Sequence, residues 1–315
     1  MSVAFVFPGQ GSQKVGMGKA LAEAFPEARA VFAEADDALD FPLSRLCFEG
    51  PEVELQLTAN TQPAILVTSV AALRVLEASG GRPDRVAGHS LGEYSALVAA
   101  RALELRDAVV AVRRRGQYMQ EAVPAGEGAM AAIIGLELPA VEQACRDAAR
   151  DQVVSPANIN APHQVVIAGH SAAVDRAVDA CRAAGARKAV RLAVSAPFHC
   201  ALMAPAQQRL AADLARVRFR DAEVPLVNDV DARVVQTADE CREGLVRQVS
   251  APVRWQQAVE LLVREGTSTF VEVGPDTVLS GLVKRVAKGA RTVHVEDPGS
   301  LAKALAALSL TARTA

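Results

Sequence analysis

Short apolar segments alternate with amphipathic segments along residues 1–125. VAFVF near the N-terminus and RVAGHS further on have the length and composition of buried strands. KALAEAFPEARAVFAEADDAL, QPAILVTSVAALRVLEASGG and EYSALVAARALEL instead have the apolar spacing of helices. Strands that alternate with helices predict a parallel sheet covered by helices on both faces.

The rhythm changes from residue 128. GAMAAIIGL, VVSPANIN, QVVIAG and RKAVRLAV predict strands, and PAVEQACRDAARD and SAAVDRAVDACRAAG predict helices. Their order along the chain is β-α-β-β-α-β, which is the order of the ferredoxin-like unit. We therefore predict a small inserted subdomain at residues 126–197.

The alternation of helices and strands resumes after residue 197. LMAPAQQRLAADLARV, WQQAVELLVREG and VLSGLVKRVAKG predict helices, whereas VPLVND, TFVEVG and RTVHVE predict strands. The sequence thus predicts an α/β fold in which residues 1–125 and 198–315 form one large subdomain around the insert.

Composition narrows the class of protein. Of 315 residues, 50% are hydrophobic and 22% charged, as in ordinary globular proteins, and the net charge of −2 gives no general attraction to nucleic acid or acidic membranes. No apolar run reaches the roughly 18 residues of a membrane span, and the N-terminus leaves no room for a signal peptide. We therefore expect a cytoplasmic protein. Five scattered cysteines without a C-x-x-C pair predict neither disulfides nor a metal site.

A glycine-rich loop follows the first strand in VAFVFPGQGSQKVGMGK. A phosphate-binding loop needs Lys and then Ser or Thr after its last glycine, but Gly16 is followed by Met17, and Gly18-Lys19 is followed by Ala20. The dinucleotide pattern fails because Lys14 occupies the place of its third glycine. A nucleotide site is therefore disfavoured, and the loop needs another explanation.

The segment VAGHSLGEYSALVAA contains G-x-S-x-G centred on Ser90, between a predicted strand and a predicted helix. A sharp strand-turn-helix exposes the serine oxygen at a helix N-terminus, as a nucleophile requires. The same position also suits a serine that only caps the helix. The motif alone leaves these two interpretations about equal.

An activated serine needs a base, and histidine is the usual one. His199, in SAPFHCALMAP, lies where the chain re-enters the large subdomain, although a loop histidine without a role fits that position too. Arg115, in RRRGQYM, is expected to close the helix after the serine turn. Its guanidinium can bind a carboxylate, but three successive arginines are also typical of a solvated helix face. The other histidines are less suitable bases: His89, His163, His170 and His294.

At this point the chain resembles a known family, the malonyl-CoA:acyl carrier protein transacylases of fatty acid synthesis and the related acyltransferase domains of polyketide synthases. The resemblance extends over nearly the whole chain, in the order FPGQGSQ, TQPAILVTSVA, GHSLGEY, MQEAVPAGEGAMAAIIGL, NINAPHQVVIAG, APFHCALM, RQVSAPVRW and EVGPDTVLSGL. It implies an α/β-hydrolase-like large subdomain with a ferredoxin-like insert.

The resemblance also implies a role for each site residue. Ser90 would be the nucleophile and His199 the base, oriented by the main-chain carbonyl of Gln248. The main-chain N–H groups of Gln10 and Leu91 would form the oxyanion hole, which explains the glycine loop. The resemblance favours Arg115 as the residue that would bind the malonyl carboxylate, and it adds Phe198, which would leave less room for a methyl branch.

The implied reaction moves malonyl from malonyl-CoA to the phosphopantetheine thiol of acyl carrier protein, through a malonyl-serine ester and without a metal or redox cofactor. Alternatives are a polyketide or malonate decarboxylase acyltransferase, a serine thioester hydrolase, and a non-catalytic binding module. We expect a monomer. An acidic carrier protein would dock on basic residues, for which the sequence offers Lys188, Lys284 and Arg285 among others.

Overall fold

A computed structural model describes residues 2–124, 126–194 and 196–309 of the chain. The predicted subdomain ranges also include Met1, Ala125, Ser195 and residues 310–315, which lie outside the described residues. The described part contains ten strands: β1 Ser2–Phe7, β2 Arg85–Gly88, β3 Gly128–Ile134, β4 Val154–Ala161, β5 Gln164–His170, β6 Lys188–Arg191, β7 Leu226–Val227, β8 Val234–Val235, β9 Thr267–Val273 and β10 Arg291–Val295.

Helices connect these strands and cover both sheets. The α-helices of the described part are α1 Lys19–Ala24, α2 Pro26–Leu39, α3 Leu43–Glu49, α4 Glu52–Leu55, α5 Thr58–Ala78, α6 Gly92–Ala99, α7 Leu105–Glu121, α8 Leu138–Ala149, α9 Ser171–Ala183, α10 Ala204–Leu214, α11 Ala238–Gln248, α12 Trp255–Arg264, α13 Val278–Val286 and α14 Pro298–Ala307, with a short 3₁₀ helix at Ala201–Met203. None of them, within the residues described, has the length and apolar character needed to cross a membrane.

The larger sheet has the strand order β10-β9-β1-β2-β7-β8. Its first five strands run parallel and β8 is antiparallel. Helix α5 lies against this sheet with sixteen of its residues buried, which fits a helix enclosed in a large core. The predicted parallel sheet with helical cover is therefore confirmed.

The smaller sheet is antiparallel, with the strand order β4-β5-β3-β6. Helices α8 and α9 pack against it around a separate apolar core of alanine, valine, isoleucine and cysteine side chains. This is the predicted ferredoxin-like unit. Strand β4 also joins the large subdomain, because the Ile159 N–H donates to the Val253 carbonyl at 2.8 Å. The exact limits of the insert, residues 126 and 197, stay a prediction.

Three local expectations were wrong. The helix expected across residues 19–39 is two helices that meet at Phe25, because Pro26 begins the second and Phe25 has an extended backbone. Arg115 does not close the helix after Ser90: that helix ends before Arg101, whose φ is 61°, and Arg115 lies inside the separate helix α7. The strand expected over RKAVRLAV, residues 187–194, ends at Arg191.

Candidate active site

Ser90 lies on a tight turn between strand β2 and helix α6. Its φ of 54° is in the left-handed region, which is strained for a residue with a side chain. A Cβ on Gly92 would lie 2.1 Å from the Phe7 carbonyl oxygen, and one on Gly88 would lie 2.0 Å from the Gly92 backbone. Only glycine fits at both positions, so these residues allow the close approach that exposes the serine hydroxyl.

A hydrogen-bonded chain runs from Ser90 to Gln248. Ser90 Oγ and His199 Nε2 are 2.7 Å apart, and His199 Nδ1 lies 2.9 Å from the main-chain oxygen of Gln248. The carbonyl accepts from Nδ1–H, so Nε2 is left with a lone pair directed at the serine hydroxyl. The tertiary fold thus brings together three residues that are far apart in sequence, in the geometry of a serine activated by a base.

His199 is almost fully buried, with 4% of its surface exposed. Burial, and secondarily the charge of nearby Arg115, lower its pKa to about 3. The ring is therefore neutral at physiological pH and free to accept a proton. A neutral imidazole is the state that a general base needs before the reaction begins.

Arg115 is a buried cation at the base of the same pocket, with 2% of its surface exposed. Its guanidinium donates to Gln62 Oε1 at 2.6 Å, to Ser90 Oγ at 3.0 Å and to Gln248 Oε1 at 2.9 Å. The neighbouring Gly116 lets helices α7 and α5 touch, since a Cβ there would lie 2.7 Å from the Thr58 carbonyl oxygen. A buried guanidinium beside a serine hydroxyl is a ready site for a carboxylate.

The pocket lies between the two sheets and has a volume of about 130 Å³. Its wall includes both predicted oxyanion-hole residues, the Ser90 turn and Phe198, as well as apolar residues of the small subdomain; the lining residues are Gln10, Gln62, His89, Ser90, Leu91, Arg115, Met119, Met130, Asn158, Leu192, Val194, Phe198 and His199. Every predicted site residue except Gln248 lines it, and Gln248 lies directly behind His199.

The glycine loop after β1 places Gln10 at the pocket. A Cβ on Gly9 would lie 2.5 Å from the His89 carbonyl oxygen, so glycine lets this loop lie against the Ser90 turn. The Gln10 side chain is held by the Thr58 hydroxyl at 2.7 Å. Within the described ranges, the main-chain N–H groups of Gln10 and Leu91 have no protein acceptor, and both therefore remain available to a ligand.

Three polar residues at the site had no predicted role. Gln62 accepts from Arg115, Asp229 Oδ2 accepts from the Ser90 N–H at 2.6 Å, and Glu93 Oε2 accepts from the Gln248 amide at 2.9 Å. One signal for Asp229 was present in the sequence, because it follows a short strand and polar residues at the carboxyl ends of parallel strands converge. Gln62 had no comparable signal, since it lies inside an apolar helix.

The other four histidines do not contact the Ser90 hydroxyl, although His89 lines the pocket, and the two arginines next to Arg115 lie outside it. His89 Nε2 lies 2.9 Å from Asn160 Oδ1, away from the Ser90 hydroxyl, and His163 is 3.5 Å from Glu137. The His170 ring accepts from the Val153 N–H, and His294 lies in β10. Arg113 packs over the Phe41 ring and Arg114 pairs with Asp213. Of the three arginines, only Arg115 reaches the pocket.

Other chemistries have little support in the described ranges. There, no group of three or more His, Cys, Asp or Glu side chains is arranged to hold a metal ion. The five cysteines are buried free thiols. The group that can react is therefore the serine hydroxyl with its buried histidine, beside a cation and two free main-chain donors.

This fold and pocket define a class of protein, the acyltransferases. The family model for the acyl transferase domain matches residues 4–305, and the chain belongs to that family.

Particular relatives are close over their full length. The chain is 51% identical over 303 residues to the malonyl CoA-acyl carrier protein transacylase of Escherichia coli K12, covering 96% of this chain and 98% of that protein. It is 48% identical over 307 residues to the protein of the same name from Bacillus subtilis, covering 97% of each.

Solved structures agree with the fold. The malonyl CoA-acyl carrier protein transacylase of Coxiella burnetii matches with a TM-score of 0.95 and 45% identity, covering 97% of each chain. A malonyl-transacylase solved in complex with a type II polyketide synthase acyl-carrier protein matches with a TM-score of 0.95 and 49% identity, covering 98% of this chain and 100% of that one. The predicted family and the predicted fold class are confirmed.

Proposed function

We propose that this enzyme transfers the malonyl group from malonyl-CoA to the phosphopantetheine thiol of acyl carrier protein, which supplies the extender unit for fatty acid synthesis. The observation that carries the proposal is the position of Arg115, a buried cation 3.0 Å from Ser90 Oγ. A nucleophile beside a fixed cation selects an acyl group that carries its own carboxylate.

The first half-reaction forms a malonyl ester on Ser90. His199 Nε2 takes the proton of Ser90 Oγ while that oxygen attacks the thioester carbonyl of malonyl-CoA. The developing oxyanion is stabilised by the main-chain N–H groups of Gln10 and Leu91, and each such donor contributes about 3 kcal/mol. The tetrahedral intermediate then collapses, the carbon–sulfur bond breaks, and the coenzyme A thiolate leaves with the proton from His199.

The second half-reaction reverses these steps with a different thiol. The phosphopantetheine thiol of the carrier protein gives its proton to His199 and attacks the ester carbonyl. Ser90 Oγ leaves as the acyl–oxygen bond breaks and recovers the proton. Coenzyme A departs before the carrier protein reacts, so ping-pong kinetics follow.

Arg115 and Phe198 select the acyl group. The malonyl carboxylate replaces the contacts that Arg115 makes with Ser90 and Gln248, whereas acetyl leaves the buried guanidinium without an anionic partner. A polar group left unpaired in a buried site is strongly disfavoured. Phe198, 8% exposed on the pocket wall, limits the space for a methyl branch on the acyl carbon.

A carrier protein must approach the mouth of the pocket. Lys188 on β6 and Lys284 on α13 are exposed, and Arg285 hydrogen-bonds Gln164 of β5 across the two subdomains. We propose that these cations contribute to docking of the acidic carrier. The subdomain limits at residues 126 and 197, the monomeric state, the cytoplasmic location and the lack of a cofactor stay predictions.

A test of the proposal is the intact mass of the protein after brief incubation with malonyl-CoA or acetyl-CoA. We expect a gain of one malonyl group, which carrier protein removes, and no gain in Ser90→Ala. Arg115→Ala should slow malonyl loading by about 100-fold because the substrate carboxylate loses its partner.

Arg113→Ala is the matched control for Arg115→Ala, because Arg113 lies on the same helix but packs on Phe41 outside the pocket. It should load malonyl at the parent rate. An adduct that forms equally from acetyl-CoA, or that only water removes, contradicts the proposal and favours a thioester hydrolase. Exchange of fatty acid, polyketide and malonate decarboxylase carriers in the same assay identifies the partner.

A further inference from the structure

Two buried carboxyl groups meet behind the pocket. Gln248 Nε2 donates to Glu93 Oε2 at 2.9 Å and to Asp229 Oδ2 at 3.1 Å. The main-chain N–H of Asp229 donates to the same Glu93 oxygen at 2.9 Å. Glu93 is 0% and Asp229 1% exposed, so water stabilises neither charge. The two acids are therefore one electrostatic unit.

The charges around this unit do not balance if both acids are ionised. Arg115 is the one lysine or arginine among the buried residues of the described ranges. If Arg115 binds the substrate carboxylate, as in the function proposed above, on which this inference rests, it cannot also neutralise two carboxylates. An unpaired buried charge costs several kcal/mol, and two neighbouring carboxyl groups avoid that cost by keeping a proton. Burial raises the pKa of both carboxyl groups, and Glu93 raises that of Asp229 further.

The same unit holds the parts that align the reacting groups. Asp229 Oδ2 accepts from the Ser90 N–H at 2.6 Å, where the Ser90 backbone is strained. The Gln248 amide, held by both acids, also donates to the Ser90 carbonyl oxygen at 3.1 Å, and the Gln248 carbonyl accepts from His199. Neither acid touches Ser90 Oγ or the histidine ring, so each acts through a neighbour.

We propose that Glu93 and Asp229 share one proton, and that the resulting singly charged pair is a positioning unit that fixes the Ser90 turn and Gln248. Loss of the shared proton adds a second negative charge beside Arg115. That charge competes with the malonyl carboxylate for the guanidinium. The KM for malonyl-CoA therefore rises on the alkaline side, and this rise reports on the pair.

Other titratable groups face the pair and must be separated from it. Burial raises the pKa of Cys241 to about 12 and also raises the pKa of Tyr94. Burial lowers the pKa of His199 to about 3 and also lowers the pKa of His89. None of these changes charge between pH 7 and 9. The facing cations, which stay charged in that range, are Arg115 on α7 and Arg247 on α11.

The test is the rate and KM of malonyl loading on Ser90 in the parent, Asp229→Ala and Asp229→Asn across pH 7 to 9. Asp229→Ala should load at least about 100-fold more slowly because the Ser90 turn and Gln248 lose their acceptor. Asp229→Asn keeps an oxygen for the Ser90 N–H and should stay within about 10-fold of the parent. It cannot share a proton as an acid pair, so its KM should lack the alkaline rise.

Glu272→Gln is the matched control. Glu272 is another fully buried carboxyl group, and it accepts from the main-chain N–H groups of Leu279 and Ser280 at the start of α13, outside the pocket. Burial raises its pKa to about 7. Its loss should lower thermal stability yet leave both the loading rate and the pH dependence of KM unchanged.

Three kinetic results would each overturn the proposal. The first is a folded Asp229→Ala that loads malonyl within about threefold of the parent rate. The others are an alkaline rise in KM that is absent in the parent, or one that persists in Asp229→Asn. If Asp229→Ala does not fold, Asp229→Asn and Glu93→Gln decide. An infrared difference spectrum between parent and Asp229→Asn tests the shared proton without any activity, since a protonated carboxyl band must be present in the parent and lost in the variant. A parent that shows this band but forms no malonyl ester refutes the proposed function and not the shared proton.

Discussion

The two sheets of this molecule differ in what they bury. The antiparallel sheet β4-β5-β3-β6 encloses a core of small apolar side chains. Asn158 is the one polar residue among the buried residues described at 126–194 and 196–197, and it faces the pocket. At the carboxyl ends of β1, β2 and β7, by contrast, the parallel sheet buries Glu93, Arg115, Asp229, His199 and Gln248 together.

The two sheets therefore differ in what their buried groups require: apolar groups need only to be removed from water, whereas polar groups need specific partners. Apolar cores gain free energy in proportion to the area that they remove from water, without a specific partner for each group. A buried polar group must instead find its partner or cost free energy. The site side of the parallel sheet is thus intolerant of change in its polar groups, whereas the small sheet should tolerate loss of single polar contacts.

The largest expected effect on malonyl transfer comes from His199, and it contrasts with the effect of His170 in the small subdomain. His199→Ala should lower malonyl transfer by at least about 10⁴-fold because, among the residues that the structure describes, no other base contacts the Ser90 hydroxyl. His170→Ala, which removes the acceptor of the Val153 N–H in the small subdomain, should cost about 1 kcal/mol of stability and leave transfer unchanged. Steady-state rates and thermal melting of both variants check this contrast. A large loss of transfer in His170→Ala would break it.

A smaller effect is expected from two glycines. Gly116→Ala forces α7 away from the α5 backbone and should lower the free energy of unfolding by about 1 to 3 kcal/mol. It should also slow malonyl loading about 10-fold or more, because Arg115 and Gln62 move apart. Gly185→Ala has open space but a φ of +93°, so it should cost about 1 to 2 kcal/mol with no change in loading. Equal loading rates in the two variants, at equal stability, would contradict the importance of this contact for Arg115.

The smallest expected effect is that of a lower pH on kcat/KM for malonyl-CoA. Because burial lowers the pKa of His199 to about 3, the base stays neutral and kcat/KM for malonyl-CoA should change less than about twofold between pH 7 and pH 5. With a histidine of ordinary pKa, about 6.5, kcat/KM would fall about 25-fold over that range. A pH profile of malonyl loading distinguishes the two cases.

The same pKa shift predicts how stability depends on pH. The unfolded chain binds a proton at this histidine below about pH 6.5, and the folded chain does so only near pH 3. His199 therefore contributes stability above pH 6.5 that is lost as the pH falls towards 3. His199→Gln should make the free energy of unfolding less dependent on pH in that window, as urea titrations at several pH values would measure.

Much of the fold could be predicted because its signals are local. The period of the apolar residues indicated the strands β1, β3, β5, β9 and β10 and the change of rhythm at the insert. The helix boundary at Phe25 and the two-residue strand β8 were beyond this reasoning, since Pro26 decides the first through backbone geometry and pairing with β7 decides the second. Ser90 was indicated by its own motif, whereas Gln62 and Asp229 acquire their importance only from partners distant in sequence.

The sequence by itself determined the α/β class, the inserted subdomain, the serine turn and the family, because periodicity, glycine spacing and ordered motifs are written in neighbouring residues. Only the tertiary structure decided which histidine meets Ser90, which of three arginines is buried, and that Glu93 and Asp229 lie together behind the site. Distances, burial and shared partners depend on contacts between α5, α6, α7, α11 and the loop of His199, and no local pattern encodes them.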